Sequence, residues 1–200
     1  ADAIDHHAPD RVPVDFGATS VSGIHVSVVA ALRDFYGLER RPVKVHEPYQ
    51  MLGWIDDDLK AAMGIDTEGV FRRNTMFGFP NRDWKPWLLN GLEVLVAGDF
   101  NTTLDEAGDT LIHPEGDLSA PPSGRMPKGG FFFDSIIRQR HFDEDHLDPE
   151  DNLEEFSPLT AQEIDEIAVD VRAAHSTGRY VIAGFGGTAF GDIALVPAPF

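Results

Sequence analysis

The sequence predicts an α/β fold in which parallel strands alternate with helices and an antiparallel β-meander is inserted at about residues 84–134. Three observations predict it. Short β-rich runs at residues 11–16, 67–71 and 179–184 are separated by stretches of helical periodicity. Their order is strand, helices, strand, insert, helix, strand, which suits a parallel sheet with crossover helices. Asn90-Gly91 divides two apolar runs inside the insert, and both central residues of such a turn need positive φ.

The elements follow in order. Residues 11–16 read as a buried strand, with Pro13 tolerable at its start or on an edge. Residues 22–36 read as a helix. Ile24, Val28, Ala31, Leu32 and Phe35 form its inward stripe, Ser20 or Ser22 its cap, and Gly37 its stop. A second helical stretch, in two pieces, covers residues 48–63. Asp56, Asp57 and Asp58 open its second piece, where backbone N–H groups are unpaired, and Gly64 closes it.

Residues 67–71 form the second strand. The meander follows as a hairpin about Asn90-Gly91, then runs at 100–104 and 110–113 flanking a turn, then an irregular Pro- and Gly-rich loop at 116–130. Phe131, Phe132 and Phe133 are expected as a packed or paired strand. Thr160 and Glu163 make a capping box for a helix over residues 160–177, with Ile164, Ile167, Ala168, Val171 and His175 inward and Gly178 as its stop. Residues 179–184 are the third strand. Three strands do not close a barrel, and a (β/α)₈ barrel needs about 250 residues, so an open doubly wound sheet competes with it.

Composition narrows the function. The 200 residues carry 34 acidic and 16 basic side chains, a formal net charge of −18. Such acidity opposes binding nucleic acid by phosphate neutralisation. No run approaches the ~18 apolar residues of a membrane span, and no signal segment opens the chain. A cytoplasmic location is expected. The absence of cysteine removes disulfides, thiolate nucleophiles and Cys-bound zinc within these residues. Residues 143–166 hold eleven acidic side chains and no Lys or Arg, a solvated surface without EF-hand spacing.

In either architecture ligands meet the carboxyl ends of the parallel strands. The candidate substrate contacts there are Asp15, Phe16 and Gly17 after the first strand, Arg72 and Arg73 after the second, and Phe185, Gly186 and Gly187 after the third. Asp15 lies inside an apolar run, where an unpaired charge is costly, so an ion pair with Arg11 or a helix cap competes with a ligand contact. His25, just beyond the first strand, and His46 are further candidates. No two histidines show a metal spacing, and no dinucleotide, Walker, nucleophile-elbow or His-Glu-x-x-His motif is present. No catalytic residue is assigned.

A resemblance adds to this. The opening Asp10-Arg-Val-Pro-Val-Asp-Phe-Gly17, then Pro48-Tyr-Gln-Met51, Asp56-Asp-Asp-Leu59 and Met63-Gly-Ile-Asp66 resemble the uroporphyrinogen decarboxylase superfamily. Gly98-Asp-Phe-Asn101, Ser119-Ala-Pro-Pro-Ser123, Met126-Pro-Lys-Gly-Gly-Phe-Phe-Phe-Asp134 and Phe185-Gly-Gly-Thr-Ala-Phe-Gly191 are similar to its decarboxylase-like branch. The resemblance implies a TIM (β/α)₈ barrel, of which this chain is the N-terminal part with the meander inserted. The uncharged last eight residues agree with a cut from something longer.

The family includes cofactor-free decarboxylases of tetrapyrrole acetate groups, and methyltransferases that work with a corrinoid protein and often zinc. The decarboxylases carry an Arg-Gln-Ala-Gly-Arg signature after the first strand, whose arginines hold substrate carboxylates. Here the matching Asp15-Phe-Gly-Ala-Thr19 has no arginine, and Asp15 would repel a polyanion.

The first expectation is therefore a fragment of a corrinoid-linked methyltransferase acting on a small molecule. Its zinc ligands would lie beyond Phe200, and none is assigned in this chain. A decarboxylase using Arg72, Arg73 and Arg125 is the second. A non-catalytic module recruiting a protein partner through the meander and the acidic surface is the third. An incomplete barrel exposes strand edges, so self-association or a homo-oligomer is expected, and the fragment alone is expected to be inactive.

Overall fold

The computed structural model describes residues 2–136 and 160–184. It is a mixed α/β structure. Helix α1 (Val26–Phe35) leads to strands β1 (Val43–Glu47) and β2 (Leu52–Gly53), helix α2 (Asp57–Met63) and strand β3 (Thr67–Val70). Strands β4 (Lys85–Leu89), β5 (Leu92–Val96), β6 (Thr102–Leu104), β7 (Thr110–Ile112), β8 (Gly124–Met126) and β9 (Asp134–Ser135) follow. Helix α3 (Ala161–Ser176) and strand β10 (Tyr180–Ala183) complete the described elements.

Three sheets result. The first is mixed, in the order β2-β1-β5-β4, with β1 and β5 parallel and the other pairs antiparallel. Strands β4 and β5 form the hairpin expected at Asn90-Gly91, where φ is +47° and +88°. Val43 and Val45 on β1 and Val94 and Val96 on β5 are buried, so two strands bury alternating positions of one face. Helix α1 packs on β1 and β2 closely enough that a Cβ at Gly53 would stand 2.9 Å from Val26 Cα. Phe77, Phe79, Phe100, Ile112, Met126 and Phe133 extend this core toward the second sheet, the antiparallel meander β6-β7-β8-β9.

The third sheet is the parallel pair β3–β10, joined through α3, which packs on both strands. The capping box is present. Glu163 N–H donates to Thr160 Oγ1 at 3.2 Å, and Thr160 N–H donates to Glu163 Oε2 at 2.8 Å. Gly64 and Gly178 end their helices with φ of +66° and +77°. Among the described residues no sheet closes into a barrel.

Several expectations are corrected. Residues 11–16 form no strand. Pro13 has no N–H to give, and the Val14 N–H goes to Asp66 Oδ2 at 2.8 Å rather than to a carbonyl. Residues 48–51 are a turn, not a helix, because the Glu47 carboxylate accepts the N–H groups of Tyr49 and Gln50 at 2.9 and 2.8 Å. That turn brings β2 back along β1, a strand the sequence reading did not find.

On α1 the buried face is Val26, Val29 and Arg33. Val28 and Phe35 are exposed, because the Arg33 guanidinium is drawn inward by Asp58. His25 caps this helix in place of Ser20 or Ser22. Within the loop expected at 116–130, Gly124 to Met126 pair with β7. In the Phe131-Phe-Phe133 run, which forms no strand, only Phe133 is buried. On α3 Ile164 and His175 are exposed rather than inward. The acidic run between residues 143 and 159 lies outside the described residues.

Candidate functional site

Segment 14–18, β3 and the residues just beyond it meet at one place. Asp66 N–H donates to Val14 O at 2.9 Å, Thr67 Oγ1 donates to Asp15 Oδ1 at 2.6 Å, and a Cβ on Gly69 would stand 2.6 Å from Ala18 O. These contacts advance together along both stretches, so the segment runs in the direction of β3 without a ladder. Asp15 therefore has neither of its structural alternatives. Arg11 pairs with Asp66 instead, and His25 is the cap. Phe16 is exposed at 43%. Gly17 has φ +80°, and a Cβ there would stand 2.8 Å from Ile55 Cδ1, so both backbone shape and space require glycine.

Phe71 follows β3 directly, and its ring would meet a Cβ at Gly69 at 2.7 Å. On it lies His46, with ring centroids 4.9 Å apart. Trp54 meets His46 edge-on at 5.5 Å and Phe71 at 6.1 Å. His46 is 7% exposed, and among the described residues its ring has no hydrogen-bond partner. Its backbone carbonyl accepts Asn81 Nδ2 at 2.7 Å, while Asn81 Oδ1 is buried without a partner. Burial, and then the Lys60 ammonium, lower the His46 pKa to about 4, so the imidazole is neutral at pH 7.

An ion network borders these rings. Lys60 on α2 pairs with Glu68 on β3, and its Nζ lies 5.9 Å from the Trp54 ring centroid. Arg179, at the start of β10, bridges Glu68 Oε2 at 2.9 Å and Asp57 Oδ1 at 2.8 Å. The network ties α2, β3 and β10 together and balances the buried Glu68 charge.

The structure thus sets His46 against Phe71 at the carboxyl end of β3 and Asp15 against Thr67 at the strand's amino end. His25 Nδ1 accepts the Ser27 N–H, and Nε2 meets Phe131 O at 2.8 Å, so this histidine clasps α1 to the loop before β9. Arg73 faces Glu166 and Asp170 of α3 at 3.2 and 3.4 Å. Arg72 is exposed beside it. Arg125 is engaged by Asp109. Phe185, Gly186 and Gly187 lie outside the described residues.

Lys60, Glu68, Arg179, Trp54 and Asn81 were not singled out from sequence. Glu68 carried the same signal as Asp15, a charge inside an apolar run.

Among the described residues no group of three His, Asp or Glu side chains is placed to hold a metal ion. Also among them, no helix is long and apolar enough to cross a membrane. No family model, no curated protein and no solved structure matches the chain.

Proposed function

We propose that the chain is the N-terminal part of a (β/α)₈-barrel enzyme similar to the uroporphyrinogen decarboxylase superfamily, of the type that moves a methyl group between a corrinoid protein and a small molecule. One observation carries the reading. The carboxyl end of β3 is bordered by the rings of Phe71, His46 and Trp54, and two of the three arginines that a polyanionic tetrapyrrole would use, Arg73 and Arg125, are engaged by carboxylates of the chain itself. Asp15 accepts one hydroxyl donor, from Thr67 at the other end of the strand, and Arg72 is exposed.

The parallel β3–β10 pair with α3 between supports the barrel part of the reading, because that is its repeating unit. In such a transfer the corrinoid partner would supply the methyl group, and the acceptor's lone pair would take it up. The residues of this chain would shape the mouth, with the aromatic walls of Phe71, His46 and Trp54 excluding water. No step is assigned to a metal.

The test is a spectroscopic titration of the full-length protein with a methylated corrinoid and a panel of thiol and other small acceptors. Demethylation of the corrinoid that depends on the acceptor is expected. No demethylation with any acceptor, together with conversion of uroporphyrinogen to coproporphyrinogen, would overturn the reading.

A further inference from the structure

We infer that helix α1 is the centre of an interface between two copies of this chain, the exposed Phe35 of each copy seated in a groove beside Ala31 of the other. The inference does not depend on which reaction the carboxyl end of β3 serves. Helix α1 turns Val26, Val29 and Arg33 inward, yet a second apolar row faces out. Val28 is 47% exposed, Phe35 80% and Tyr36 41%, and the exposed Ala31 lies one turn from both Val28 and Phe35. The Phe35 and Tyr36 rings meet edge to face with centroids 5.1 Å apart, so the projecting aromatic is braced before a partner arrives. A helix with a second apolar face left in solvent marks a contact surface.

Beside this row runs a groove of about 530 Å³. Ser27, Ala30 and Ala31 form its helical wall, and Pro42, Val43 and Leu92 line it from the strands. Ala31 belongs to both row and groove, so ridge and hollow lie side by side on one helix. Such a surface can meet itself about a two-fold axis, each ridge entering the other copy's hollow.

The charges point to the same occupant. A formal net charge of −18 repels a copy of the chain over most of the surface. Residues 26–44 reverse that balance, with Arg33, Arg40, Arg41 and Lys44 against Asp34 and Glu39. On the groove rim Arg40 pairs with Asp34 at 2.7 Å and Arg41 with Asp56 at 2.9 Å. The rim thus offers paired ions rather than an open positive patch for an acidic peptide. Glu93 stands on it too, so antiparallel copies can set arginines against carboxylates. Further chain past β10 would extend the β3–β10 edge, whereas α1 packs on β1 and β2 of another sheet.

Sedimentation velocity of the full-length protein over a dilution series tests this, and a monomer–dimer equilibrium is expected. Phe35→Glu should weaken the dimer about thirtyfold, the loss of one central aromatic anchor. Ala31→Gln, which fills the groove, should weaken it as well. Ile164→Glu, on the exposed face of α3, should leave it unchanged. Phe35 and Ala31 are exposed, so both α1 variants should keep the parent's denaturant midpoint. A full-length protein that stays monomeric, alone or with another protein bound over α1, would overturn the inference. So would a dimer that either α1 variant leaves intact, or one that Ile164→Glu dissociates as readily.

Discussion

Single side chains hold this site, and several do so against their ordinary preferences. His46 is buried and neutral, with a folded pKa of about 4 against 6.5 when unfolded. A group whose pKa is depressed on folding stabilises the native state above its unfolded value, and that stability is lost as pH falls toward the folded value. The full-length protein should therefore lose up to about 3 kcal/mol between pH 6.5 and 4 from this residue alone. Denaturant titrations at pH 7.5, 5.5 and 4.5 measure it. His46→Phe should flatten that part of the profile, and parallel profiles for the two proteins would rule the assignment out.

Asp15 gives a second residue-scale expectation. Asp15→Asn keeps a partner for the Thr67 hydroxyl, so stability should change by less than about 1 kcal/mol, whereas Asp15→Ala should cost about 1–3 kcal/mol, both read by denaturant midpoint. Equal midpoints for the two variants would show that the bond to Thr67 does not hold this segment to β3. Asp15 could be singled out from sequence because a charge inside an apolar run stands out locally. His46 could be named but not explained, because the burial that neutralises it comes from Trp54, Phe71 and Lys60, each distant along the chain.

Elements were legible where their signal was local. The hairpin at Asn90-Gly91, the capping box at Thr160 and Glu163, and the glycines that end α2 and α3 are all decided by neighbours within a few residues. Strand β1 was not legible, since two valines between Pro42 and Pro48 give little alternation and its order comes from pairing with β5. The face of α1 was misjudged for the same kind of reason. Apolar periodicity pointed to Phe35, and a distant carboxylate, Asp58, buries Arg33 instead. The bond to Arg33 holds the Asp58 pKa below the ordinary carboxylate range.

Two substitutions test the elements. Thr160→Ala removes half of the capping box and should cost about 1 kcal/mol, read by denaturant midpoint. A change within error would show that α3 does not depend on its cap. Gly53→Ala puts a methyl group against the α1 backbone and should cost about 1–3 kcal/mol. A neutral result would mean that the helix and β2 can separate freely.

At the scale of the whole molecule, the mixed sheet and the meander share one apolar core, whereas β3, β10 and α3 form a smaller parallel unit. That unit shows exposed apolar side chains at Ile164, Val169 and Tyr180, and among the described residues β10 has β3 as its one strand neighbour. Parallel sheets are ordinarily covered on both faces. The 200-residue chain expressed alone should accordingly self-associate in light scattering, and a monodisperse monomer would contradict that. The most direct test of the barrel-fragment account is an experimental structure of the full-length protein. The account predicts that β3 and β10 are neighbouring staves of one closed parallel barrel, with further strands of the same chain continuing past β10. A full-length protein in which β3 and β10 remain an isolated pair, with no barrel closing around them, would contradict it.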